Sequence, residues 1–180
     1  MIAFNTITAE ALQAANINPR SMLATDYLNH FNEVVMMMEM VPDIPAMIED
    51  VLTWEPCSYK DHFEQSVFAD KALAIAAYEA APGDVRHRFD AVIAEIDAQV
   101  TDIQILLSSV NACQPMDPAI ADRLMLTIVG QLRPAIDRAS ALINSKDDAE
   151  TDLAAGHEEG GMRAQDTIDQ MFDEGCAATH

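Results

Sequence analysis

Basic residues are scarce in this sequence. Ten lysines and arginines stand against 30 acidic residues, which gives a formal net charge of −20 at pH 7. A charge of this sign repels phosphate backbones and anionic lipid surfaces over a Debye length of about 8 Å at physiological salt. We therefore expect neither nucleic acid nor a membrane as a partner.

Cysteines and long apolar runs are also few. Cys57, Cys113 and Cys176 are odd in number and form no C-x-x-C pair, so neither a disulfide framework nor a thiolate zinc site is indicated. The N-terminus has no basic cluster ahead of an apolar run, and charged residues interrupt each longer apolar stretch before it reaches membrane-spanning length. These features predict a cytoplasmic protein without a membrane span.

Motifs that would identify an enzyme reaction are lacking as well. The sequence has no Gly-rich phosphate loop, no internal repeat and no clear alternating strand pattern. A length of 180 residues with 50 % hydrophobic content is enough for one domain with a core, followed by a tail. No cofactor is expected.

Helical periodicity is the strongest pattern that is present. From Asp84 to Cys113 the apolar residues repeat at alternating intervals of four and three, which is the seam of a helix in a bundle. They are Phe89, Ile93, Ile96, Val100, Ile103, Leu107 and Val110. Asp117-Pro118 then predicts a second helix to Asn144, whose matching seam favours an antiparallel hairpin with the first. Pro134 lies inside this second helix and predicts a kink or a 3₁₀ turn.

The first 82 residues predict further helices. Thr8 is expected to cap a short helix that Asn16 to Pro19 breaks, and a long helix should run from Met22 to Met40. A short helix capped by Asp43 and one continuous helix from Ser58 to Pro82 should follow. The methionines at the end of the long helix are expected in the core, with a homodimer interface as the alternative. The prediction is an all-α antiparallel bundle of about four main helices over residues 1–144.

After Asn144 the composition changes. Residues 145–161 contain six acids, one lysine and a single large apolar residue, Leu153. Such a segment buries too little surface to offset its ordering entropy, so it predicts a disordered acidic tether. Residues 162–180 follow as an amphipathic docking peptide, because Ile168, Met171 and Phe172 would form one apolar stripe on a helix.

The segment Gln165-x-x-Ile168-Asp169-x-Met171-Phe172 resembles a known short motif. The flagellar switch protein FliM captures the phosphorylated chemotaxis regulator CheY with a similar peptide, and the CheY phosphatase CheZ ends in a related one. The chain departs from the FliM motif at Ala164, Thr167 and the Met171-Phe172 pair, where a serine, an acid and two leucines are usual.

The resemblance implies a non-enzymatic regulatory or adaptor protein of a chemotaxis or two-component pathway. Its partner would be the receiver domain of a CheY-like response regulator, bound as a helix in a groove. Ile168 and Phe172 would fill an apolar groove, while Asp166 and Asp169 would face a basic rim. Gln165 and Met171 complete the predicted partner-binding set.

Two alternative functions rest on other residues. Glu95 and Gln99 stand four apart, the spacing of the acid and amide with which a CheZ-like phosphatase acts on a response regulator, although the expected acid there is an aspartate. Asp26, His30 and Glu33 share one helical stripe and are metal-ligand types, which suggests a small metal-binding bundle. Di-metal bundles need further Glu-x-x-His repeats, and none is present.

Overall fold

The computed structural model describes residues 7–144, so the predicted tether (145–161) and docking peptide (162–180) lie outside the described residues. Within this range the chain is all-α, as predicted, and its only β pairing is an isolated bridge between Ile17 and Ala24. No helix within residues 7–144 combines the length and the apolar character needed to cross a membrane.

The structure contains more and shorter helices than the four that the sequence predicts. The α-helices are α1 (Ala9–Ala14), α2 (Asn29–Met40), α3 (Ile48–Thr53), α4 (Tyr59–Gln65), α5 (Lys71–Ala80), α6 (Gly83–Ser108), α7 (Pro118–Thr127) and α8 (Arg133–Asn144). Two 3₁₀ turns, Thr25–Leu28 and Pro45–Met47, precede α2 and α3. A π-turn, Ile128–Leu132, joins α7 to α8 in one rod.

Several predicted boundaries in the first half were wrong. The long helix begins at Asn29 rather than Met22, because Met22 has a positive φ of 59° and a 3₁₀ turn follows. The helix expected from Ser58 to Pro82 is two helices, since Ser66 is extended and its hydroxyl accepts the Phe68 N–H. Asp43 caps no helix.

The first helix ends as its sequence predicts. The Thr8 hydroxyl accepts the Ala11 N–H at 3.2 Å and caps α1. Asn16 adopts a left-handed conformation (φ 55°), which lets the Ile17 N–H reach back to the Leu12 carbonyl at 2.8 Å. This is the helix-terminating geometry that asparagine tolerates better than other non-glycine residues.

Most residues of the predicted hairpin seam are buried. The α6 seam is buried from Phe89 to Leu107, and its last member, Val110, is only partly buried. On the partner rod the buried seam residues are Ile128, Leu132, Ile136, Ala139 and Ile143. Arg138 pairs with Glu95, and residue 142 lies beside residue 88, so α6 and α8 run antiparallel.

The π-turn before Pro134 replaces the predicted kink or 3₁₀ turn. Leu124, Ile128, Leu132 and Ile136 are all buried at successive intervals of four, which would rotate the apolar stripe by about 40° per step on a straight α-helix. One extra residue in a π-turn takes up this rotation. The Arg133 N–H accordingly donates to the Ile128 carbonyl, five residues back.

An aromatic cluster fills the core of the first half. Tyr27, Phe31, Tyr59, Phe63 and Phe89 are buried, and Tyr27 contacts three of the others with ring centroids 5.1–6.1 Å apart. The Tyr27 hydroxyl donates to the Cys57 carbonyl at 2.7 Å, and the Tyr59 hydroxyl accepts the Ala24 N–H at 2.8 Å. The cluster thereby fixes the segment between α3 and α4.

The methionines at the end of α2 divide between core and surface. Met38 is fully buried, as the core prediction requires. Met36 and Met40 are exposed at 56 % and 37 %. The homodimer alternative remains a prediction that these two exposed side chains permit.

Candidate functional site

Glu95 and Gln99 are brought together, but they engage each other. The Gln99 side-chain amide donates to a Glu95 carboxylate oxygen at 3.1 Å. Arg138 of α8 donates to both Glu95 oxygens at 2.6 Å. The acid therefore already holds a cation of its own chain. The Gln99 amide nitrogen is engaged by the acid, while the Gln99 amide oxygen is buried and has no hydrogen-bond partner among the described residues.

The three predicted metal ligands occupy two different surfaces. His30 and Glu33 line a cleft between α2, the Glu55–Cys57 segment and α4, whereas Asp26 lines two smaller depressions beside Thr25. The 3₁₀ turn that contains Asp26 shifts it off the stripe that a continuous α-helix would have formed. Among residues 7–144, no group of three or more metal-ligand side chains is arranged to hold a metal ion.

The cleft that contains His30 lies beside the aromatic cluster. It has a volume of about 460 Å³, and its lining residues are Asn29, His30, Glu33, Glu55, Pro56, Cys57, His62, Gln65 and Ser66. The His30 ring stacks on Trp54 with centroids 4.7 Å apart. Its Nε2 lies 3.1 Å from the Glu55 carbonyl, which can only accept, so Nε2 carries the proton.

Burial controls the titration of the groups around the cleft. It lowers the pKa of His30 and of His62, so both imidazoles favour the neutral form. It raises the pKa of the Cys57 thiol, which is the opposite of what a cysteine nucleophile requires. On α6, behind Cys57, burial raises the pKa of Asp97 to about 6, and one Asp97 oxygen is buried without a hydrogen-bond partner.

A second concave surface, the α6–α8 groove, has an apolar floor between two arginines. Its volume is about 510 Å³, and its lining residues are Arg88, Ala91, Val92, Arg138, Ala141 and Leu142. Each helix contributes the same pattern, Arg-x-x-Ala followed by valine or leucine. Because the helices are antiparallel, one arginine lies at each end of the groove.

Neither concave surface follows from the sequence patterns described above. The cleft depends on Trp54 and His62, which the fold brings to His30 from 24 and 32 residues away in sequence. The α6–α8 groove had a sequence signal, the repeated Arg-x-x-Ala-aliphatic pattern, at positions next to the buried seam.

The chain was compared with protein-family models, curated proteins and solved structures. None of these comparisons found a match.

Proposed function

We propose that the protein is a non-enzymatic regulatory adaptor that binds the receiver domain of a CheY-like response regulator through its C-terminal peptide, residues 162–180. The observation that carries the proposal is the pattern Gln165-x-x-Ile168-Asp169-x-Met171-Phe172. It combines an apolar helical stripe with carboxylates, the chemistry of a helix that docks in an apolar groove with a basic rim.

The folded residues support an adaptor better than a phosphatase. A phosphatase of this class would use Glu95 to hold a cationic partner and Gln99 to orient water. Glu95 is instead paired with Arg138, and the Gln99 amide nitrogen donates to Glu95.

The proposal places the protein in the cytoplasm, where such receiver domains act. Cys57 and Cys113, the two cysteines within residues 7–144, are both free thiols. Free thiols fit a reducing compartment. The chemotaxis or two-component pathway follows only from the proposed partner.

The test is binding of the full chain to CheY-like receiver domains, with and without phosphorylation. Wild type should bind the phosphorylated form more tightly, and Ile168→Ala with Phe172→Ala should abolish binding. A matched control is Ile105→Ala with Leu126→Ala, which removes two exposed apolar side chains from the helical part and should leave binding unchanged.

A second readout separates the adaptor from the phosphatase. The rate of dephosphorylation of the receiver domain should be the same with wild type and with Gln99→Ala. A wild-type protein that accelerates dephosphorylation, and loses this effect in Gln99→Ala, would show that the proposed function is wrong.

A further inference from the structure

Three polar side chains of α6, at intervals of seven residues, lie on the side of the helix that faces the first half of the fold. They are Asp90, Asp97 and Gln104. The Tyr78 hydroxyl of α5 donates to Asp90 at 2.8 Å. The Gln104 amide donates to two carbonyls at the C-terminal end of α3, at 2.9 and 2.8 Å. The outer two residues therefore each attach another helix to α6.

Asp97, the middle residue, is in a different situation. One of its carboxylate oxygens is buried and has no hydrogen-bond partner among residues 7–144. Its negative charge contributes to the raised pKa of Tyr27 and of the Cys57 thiol, so the carboxylate lies toward the Glu55–Cys57 segment. A buried carboxylate without a donor is more stable wherever water can hydrate it.

The groups around Asp97 do not compensate its charge. Tyr27 and Cys57 are neutral at pH 7, because burial raises the pKa of both. Arg86 lies over a tyrosine ring of α5 at 5.9 Å, and Arg138 of α8 is paired with another carboxylate. Neither arginine lowers the pKa of Asp97, which burial holds at about 6, above its ordinary value of 3.8.

The Glu55–Cys57 segment is held by single hydrogen bonds. It joins α3 to α4, lies outside the helices and forms one wall of the cleft that contains His30. His30 Nε2 donates to the Glu55 carbonyl at 3.1 Å, and the Tyr27 hydroxyl donates to the Cys57 carbonyl at 2.7 Å. A segment held in this way can open without unfolding a helix.

We propose that ionisation of Asp97 opens the Glu55–Cys57 segment away from α6, so that one wall of the cleft is closed in acid and loosened at neutral pH. Opening admits water to the carboxylate, and its pKa then returns from about 6 toward 3.8. The ratio of open to closed segment therefore rises with pH between these values. The rise is about tenfold, once the limit of about a hundredfold is discounted for the partial exposure of Asp97. The inference does not rest on the proposed function.

The direction of the change distinguishes Asp97 from the histidines of the cleft. His30 and His62 face the segment from α2 and α4, and burial lowers the pKa of both. Their charging in acid would loosen the cleft as the pH falls. Opening that increases as the pH rises is therefore assigned to Asp97.

The test measures how fast a dithiodipyridine reagent modifies Cys57 in the full chain, divided by the rate at the exposed Cys113. Below pH 7 both thiols are mainly protonated, so the division removes the dependence of the thiolate fraction on pH. The ratio should rise about tenfold from about pH 4.5 to about pH 6.5. Peptide mass spectrometry assigns each modified cysteine.

Three variants sharpen the test. Asp97→Asn cannot ionise, so its ratio should stay at the low value at every pH. Asp102→Asn, the matched control, removes an exposed acid from the same helix and should behave as wild type. Tyr27→Phe removes the donor to the Cys57 carbonyl, so it should raise the ratio at both ends of the range and keep its dependence on pH.

Three results would overturn the proposal. The wild-type ratio stays constant or falls as the pH rises, the rise persists in Asp97→Asn, or helical circular dichroism is lost over the same range. The last result would show that the whole fold, rather than the segment, responds to pH. None of these results involves a receiver domain, so the proposed function keeps its own test.

Discussion

Ser21 is the one buried polar or charged side chain in the core formed by residues 7–144. Its hydroxyl donates to the Ile143 carbonyl at 2.6 Å, and it lies 3.4 Å from the Leu23 N–H, which donates to it. One side chain thus holds the segment before α2 against the last turn of α8. The Ser21 hydroxyl thus links two segments that lie 122 residues apart in sequence.

Ser21→Ala should therefore be more costly than an ordinary serine substitution. It leaves the Ile143 carbonyl buried without its donor, and we expect a loss of about 1–3 kcal/mol in the free energy of unfolding. Ser108→Ala is the control, since that exposed hydroxyl bonds within its own helix and should matter little. Chemical denaturation measures both, and equal effects would show that the Ser21 bond is not structural.

Asp97 is a half-buried acid that lowers stability at neutral pH. Its folded pKa of about 6 lies above the ordinary value of 3.8, so the folded state binds more protons than the unfolded state between these values. Its contribution to stability therefore falls as pH rises from about 4 to 6, and the deficit persists above pH 6.

Asp97→Asn should remove this deficit. We expect the variant to be about 1 kcal/mol more stable than wild type at pH 7.5, a value discounted for the carboxyl's partial exposure, and to lose the advantage near pH 4. Subtracting the free energy of unfolding of wild type from that of the variant at each pH removes the contribution of His30 and His62, whose titration has the opposite effect on stability and is common to both proteins. An advantage that does not change with pH would contradict the assignment of the cost to the buried charge.

At the scale of the element, the α6 seam is the central stabilising feature. Ile96 is fully buried against the α7–α8 rod, whereas Ile105 of the same helix is 65 % exposed. Ile96→Ala should lower the free energy of unfolding by about 2–5 kcal/mol, as large-to-small core changes do. Ile105→Ala should stay within about 0.5 kcal/mol of wild type. Similar losses in the two variants would mean that the seam is not the core.

A second prediction at this scale concerns the glycine in the π-turn. Gly130 lies within it and is exposed, its φ is not positive, and a Cβ there would meet no atom within 4 Å. Gly130→Ala should therefore stabilise the protein by about 0.4–1 kcal/mol, chiefly because alanine restricts the unfolded chain. Thermal denaturation tests this, and a loss of stability would show that the turn requires glycine.

Some helices could be predicted from sequence because a capping side chain marks their start, or because an apolar repeat continues over many residues. The α6 seam repeats over seven positions, and Thr8 and Asp117 cap their helices through their own side chains. The split between α4 and α5 could not be predicted, because it depends on one extended serine inside a continuous apolar pattern. The cleft could not be predicted either, since Trp54 and His62 reach His30 only through the tertiary fold.

At the scale of the whole molecule, the net charge of −20 is the property that bears most on the choice of partner. It repels phosphate-rich surfaces at long range. The apolar stripe predicted for Ile168, Met171 and Phe172 carries the binding chemistry of the proposed adaptor, which would act through a helix-in-groove contact.

The most direct test of the adaptor claim is the affinity of a peptide of Met162 to Gly175 for a CheY-like receiver domain, measured by isothermal titration. We predict a micromolar dissociation constant, about −8 kcal/mol, because folding on binding consumes part of the contact energy. Binding should be tighter to the phosphorylated domain and weaker at high salt, where the contacts of Asp166 and Asp169 are screened. A peptide that shows no binding, or binds equally when Ile168 and Phe172 are both alanine, would contradict the claim.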